Sequence, residues 1–151
     1  MSSSAAIDVW ATIAAEAAAE SSLWADALKP EGERQLEPVF SPLGDERFAL
    51  GLETIYEGYL VHYGTPRLFA PVDSDTALLL GDYLYAHGLV RVAATGNVRA
   101  VADLAELISL CAQAHADGRN GDAGPLEAAA RTAAGDEGVD RALASHSGRV
   151  R

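Results

Sequence analysis

Apolar residues in this chain recur at helical spacing, and no segment alternates with the two-residue period of a strand. The clearest case runs through Phe48, Leu52, Ile55, Tyr56, Tyr59 and Tyr63, whose separations of 4, 3, 1, 3 and 4 residues define one helix face. Ser41 can cap this helix, Pro42 suits its first position, and Asp45 and Glu46 favour its positive end. Gly64 fits a left-handed stop, and Pro66 prevents continuation. The pattern predicts an all-α fold.

Three further helices follow from the same signals. Residues 5–28 place Ile7, Trp10, Ala14, Ala17 and Trp24 near one face, until Lys29-Pro30-Glu31-Gly32 breaks the run. Residues 30–42 contain three prolines and read as a connector. A helix from Ser74 or Asp75 to Thr95 is apolar nearly all round, as expected of one covered on two sides, by its own domain and by another subunit. Gly96 ends it. Asn97 can cap the next helix, which runs to about Asp117 with a stripe of Val101, Leu104, Leu107, Ile108, Cys111 and His115. The domain expectation is one helical bundle over 1–118. It is followed by a Gly/Ala-rich segment over 119–151, with a loop over 118–125, short helices over 126–134 and 136–145, and a loose tail.

Length fits one domain, and an apolar fraction of 49% argues against disorder along the whole chain. A net charge of −11 disfavours nucleic acid and anionic membrane surfaces, which attract clustered Lys and Arg. No apolar run reaches the ~18–20 residues of a bilayer span, and residues 1–6 lack the features of a signal peptide. The single cysteine, Cys111, suits a reducing cytoplasm and reads as packing rather than as a nucleophile. His62, His87, His115 and His146 are scattered without metal-ligand spacing, so no metal site is expected. His115, on an apolar stripe, reads as a satisfied core or interface histidine.

Glu53-Thr54-Ile55-Tyr56-Glu57 carries the densest chemistry. Glu53 and Glu57 are four residues apart and share a helix face. Taken alone, such a pair reads as the solvated side of an amphipathic helix, and Arg67 as a solvated surface arginine. The same stretch resembles the first half of the trans-isoprenyl (polyprenyl) diphosphate synthases. In that family one helix carries Asp-Asp-x-x-Asp, a loop carries Arg-Arg-Gly-x-Pro, and a later helix carries Gly-Asp-Tyr/Phe-Leu. Here Glu53, Thr54 and Glu57 stand at the acidic positions, and His62 and Tyr63 replace the paired arginines. Gly64, Pro66, Gly81 and Asp82 keep the register, with Arg67 nearby. The resemblance covers roughly residues 43–118.

The resemblance implies a single-domain bundle like the N-terminal half of the isoprenoid synthase fold, without catalytic residues. In the family three aspartates hold magnesium, which favours several hard oxygen ligands. The second aspartate-rich motif lies downstream of the part matched here. The resemblance therefore points to the small, non-catalytic subunit of a heteromeric polyprenyl diphosphate synthase. Such a subunit pairs with a full-length catalytic one that carries the magnesium, and needs no cofactor of its own. Phe48 and Ala49 fall where the family sets its tunnel floor, although Phe48 also fits plain core. Leu89, Leu104, Leu107, Ile108 and Cys111 fall on the helices through which the family dimerises. A homodimer would cover the same patch. Two other readings stay open: a free-standing isoprenoid-binding or structural homo-oligomer, and a small enzyme assembling a metal site across a dimer.

Overall fold

The computed structural model describes residues 8–118 and 138–150. Helix α1 (Val9–Glu20) starts where the Asp8 carboxylate accepts from the backbone N–H of Ala11 at 3.0 Å. Residues 5–7 of the expected single helix over 5–28 lie outside the described residues, and the rest of it is two helices. Ser21 adopts extended backbone (φ −159°, ψ 140°), and its hydroxyl caps α2 (Ser22–Ala27) by accepting from Leu23 N. Residues 27–29 then run antiparallel to 68–70, joined by Lys29 N to Leu68 O (2.8 Å) and Ala70 N to Ala27 O (2.7 Å).

The helix expected from Ser41 starts later. Ser41–Leu43 forms one 3-10 turn and Glu46–Phe48, capped by Asp45, another. Gly44 in extended backbone separates them, and α3 itself spans Ala49–Tyr63. Phe48 thus lies before the helix, half-buried, with the Arg47 guanidinium 5.2 Å from its ring centre. The single apolar stripe is also corrected. From Glu53 to Val61 every residue of α3 is buried, so this is the central helix, packed on all sides. Gly64 is not left-handed (φ −147°). It pairs as an isolated bridge with Val150, and a side chain there would collide with the Arg149 carbonyl.

Helix α4 (Ser74–Ala93) lies antiparallel to α3, because Gly51 faces Gly88 while Gly58 faces Gly81. A Cβ on Gly51 would come within 3.1 Å of the Gly88 carbonyl oxygen, and one on Gly58 within 3.0 Å of that of Gly81. The two backbones meet almost directly along two turns of each helix. α5 (Val98–Ala116) follows after Gly96 (φ +85°), capped by Asn97 accepting from Ala100 N at 2.9 Å, as its sequence predicts.

Two apolar clusters flank α3. One joins Ile13, Ala17, Trp24, Phe69 and Leu80, and the other Val39, Tyr56, Tyr59, Cys111 and Ala142. Ala142 belongs to α6 (Val139–Ser147). The helix expected over 126–134 and most of the 118–125 loop lie outside the described residues. The expected loose tail is instead packed. Arg149 is buried and donates to Gln35 Oε1 and Glu37 Oε1, each at 3.1 Å, while its carbonyl accepts from Thr65 N. Among the described residues there is no strand, and no helix is long and apolar enough to cross a membrane.

Candidate functional site

The acidic pair of α3 meets the loop that follows the helix. Glu53 and Glu57 project from successive turns, and Thr65-Pro66 returns the chain so that Arg67 enters between them. Arg67 Nη1 donates to Glu53 Oε1 at 2.5 Å, and its Nε to Glu57 Oε1 at 3.0 Å. Glu57 also accepts the backbone N–H groups of Arg67 (3.0 and 3.2 Å) and Leu68 (2.8 Å). The second oxygen of Glu53 takes a short hydrogen bond from the Ser41 hydroxyl. Nη1 reaches the Glu37 carbonyl at 2.9 Å. Trp10 of α1 and Tyr56 lie near the guanidinium, their ring centres 4.6 and 5.0 Å from its carbon.

This arrangement overturns the solvated reading of all three side chains. Glu53 is 2% exposed, and Glu57 and Arg67 are 0% exposed. The physical reason is that each carboxylate oxygen has a donor inside the fold, which makes burial of the charges tolerable. Thr54, at the middle acidic position, is also fully buried, and its hydroxyl donates back to the Leu50 carbonyl at 2.7 Å. The cluster of two carboxylates and one guanidinium has a formal charge of −1. Chemically it is a closed ion network. Every carboxylate oxygen is engaged and out of solvent, which does not fit magnesium, a hard cation that retains water in its shell. Among the described residues no group of three or more His, Cys, Asp and Glu side chains is placed to hold a metal ion.

The positions of the missing arginines do not gather around this cluster. His62 Nε2–H donates to the Leu78 carbonyl on α4 at 3.0 Å and lies 3.6 Å from Asp82 Oδ1. Gly81 leaves the space that the imidazole fills, so its register with His62 has a steric cause. Tyr63 stacks on His115 with ring centres 3.8 Å apart, and burial pushes its phenol upward in pKa. Tyr85 is shifted the same way, more strongly, again chiefly by burial. His62 and Tyr63 line a cleft of about 640 Å³ with Pro66, Pro71, Asp73 and Asp75. That rim is acidic, unlike a diphosphate clamp.

Of the remaining candidates, Ala49 opens α3 half-buried. Cys111 is 2% exposed beside Tyr59 in the core, and Leu107 packs against the same cluster. Leu89, Leu104 and Ile108 are half-buried. His115 is satisfied by the Tyr59 hydroxyl at 3.0 Å, in line with its sequence reading.

Sequence reasoning missed Trp10, Glu37 and Ser41 as parts of the ion network. It also missed His146, which is 1% exposed and shares a 2.7 Å hydrogen bond with Tyr56. Two carboxylates four apart and an arginine ten residues after the second were the available signal. The contributions of Trp10 and His146 depend on long-range folding. Comparison with protein-family models, with curated proteins and with solved structures gave no match.

Proposed function

We propose that this chain is a non-catalytic accessory subunit of a heteromeric trans-polyprenyl diphosphate synthase, acting in the cytoplasm. Its role in this reading is to stabilise the catalytic subunit and to shape product length. The observation that carries the proposal is the internal pairing of Glu53 and Glu57 with Arg67. The helix that resembles the metal-binding helix of those enzymes has its carboxylates closed onto the chain's own arginine. A chain built this way keeps the scaffold and leaves magnesium and both diphosphates to its partner. The exposed apolar side chains of α4 supply a surface for that partner. A free-standing homo-oligomer is the second reading.

A prenyl-transfer assay with magnesium, an allylic diphosphate and isopentenyl diphosphate separates the two. This chain, a full-length synthase homologue from the same genome, and their mixture are each assayed. Higher activity or a longer product only in the mixture supports the accessory role. No change on mixing, together with separate elution, overturns it in favour of the homo-oligomer. Turnover by this chain alone would refute the closed-network account of Glu53 and Glu57.

A further inference from the structure

The outward side of α4 is apolar but carries two carboxylates along its middle. Leu78 and Leu79 are each 56% exposed, Val90 is 63% exposed, and Ala86 lies exposed between them. Asp75 and Asp82 fall on the midline of this stripe, two turns or about 10.5 Å apart. Among the described residues no Lys or Arg forms an ion pair with either carboxylate. The one arginine of α4, Arg91, is turned inward with a side chain only 10% exposed, and donates to Glu16. Asp82, whose side chain is 63% exposed, meets His62 at 3.6 Å, but that imidazole N–H already serves the Leu78 carbonyl.

A partner that covers the leucines also removes water from both carboxylates. Desolvation of an unpaired carboxylate opposes association, so the surface is productive only against a partner that brings positive charge to those two points. A second copy does not. In a two-fold antiparallel pairing centred on Ala86, Asp82 falls against Val90 and Asp75 against Asn97, and each chain carries a net charge of −11. We infer that the outer face of α4 docks an apolar helix face of a different protein, bearing Lys or Arg two turns apart to meet Asp75 and Asp82. The inference rests on the accessory-subunit reading and deepens it by defining the chemistry of the partner's surface.

The test uses two labelled helical peptides with the same leucine stripe. One has Lys, the other Glu, at two stripe positions seven residues apart. Binding to the whole chain is read by fluorescence anisotropy in about 50 and about 500 mM NaCl, where screening differs several-fold. The Lys peptide is expected to bind at least ~10-fold tighter than the Glu peptide at low salt, with the gap narrowing at high salt. The double variant D75K/D82K should reverse the preference. D26K/E31K, which changes net charge equally at exposed sites outside α4, should retain it. Circular dichroism checks that both variants fold.

Equal binding of the two peptides, or binding of neither, overturns the inference. So does a Lys preference that survives D75K/D82K, which would reflect generic attraction to an acidic chain, or a wild-type dimer in sedimentation. The peptides contain no synthase sequence. Peptide discrimination without co-elution with the synthase therefore counts against the accessory role alone. Co-elution without discrimination counts against this inference alone.

Discussion

Replacing Arg67 with methionine tests the ion network most directly. Methionine keeps the backbone N–H that Glu57 accepts and much of the apolar stem between Trp10 and Tyr56. It removes the guanidinium donors to Glu53 and Glu57 and leaves two carboxylates, 2% and 0% exposed, without a cation. Removing one partner of a buried ion pair costs about 3–5 kcal/mol, mostly because the other charge is stranded. For a domain of this size each kcal/mol lowers the melting temperature by about 2–4 °C, so R67M should melt about 6–20 °C below wild type at pH 7.

Substituting Glu53 with glutamine in the same background removes one stranded charge, so E53Q/R67M should be at least ~1.5 kcal/mol more stable than the sum of the single changes predicts. Urea denaturation of wild type, both single variants and the double variant measures both quantities. A loss under ~1 kcal/mol for R67M, or simple additivity in E53Q/R67M, would refute the buried network.

Four further substitutions probe other parts of the fold. Gly58→Ala forces a methyl to within 3.0 Å of the Gly81 carbonyl and 3.1 Å of Leu84 Cβ, so it should cost about 1–3 kcal/mol in denaturant. Gly32→Ala, with nothing within 4 Å, should be neutral or stabilising by up to ~1 kcal/mol. R91M should lie within about 1 kcal/mol of wild type, because the buried Nε and Nη1 have no partner among the described residues and the ion pair to half-exposed Glu16 contributes little. A loss above ~2 kcal/mol would contradict this. The Asp73 carboxyl is held below its ordinary value of 3.8 by hydrogen bonds from Thr76, backbone first. A depressed carboxyl contributes stability above its unfolded value and loses it below. D73A should therefore lower the melting temperature at pH 7, and the difference should shrink as pH falls below about 3.8.

The helices were legible because their signals are local. Asn97 and Gly96 set the boundary between α4 and α5 as their chemistry predicts, and Asp73 caps α4 one residue before the expected start. The rank of each helix was not legible. Periodicity around Phe48–Tyr63 suggested one wet face, yet α3 is the core, because its polar residues find partners far away in sequence. Glu53 bonds to Ser41 and Arg67, Tyr56 to His146, and Tyr59 to His115. A charged residue reads as exposed until its counterpart is located, and no periodicity carries that information. Gly51, Gly58 and Gly88 were overlooked for a related reason. A helical glycine seven residues from another looks like a weak spot, and only the facing helix turns it into a point of contact.

These same long-range pairings bear on function. The sequence shows acids at motif spacing without showing whether they face a cavity or an internal cation. Arg67, directly after Pro66, makes the difference, because its burial turns what reads as a metal-ligand set into a structural one. Asp75 and Asp82, exposed on the outer side of α4, lie outside this closed cluster. In the proposed reading, the surface offered to a partner is therefore the outer side of α4 and not the acidic pair of α3.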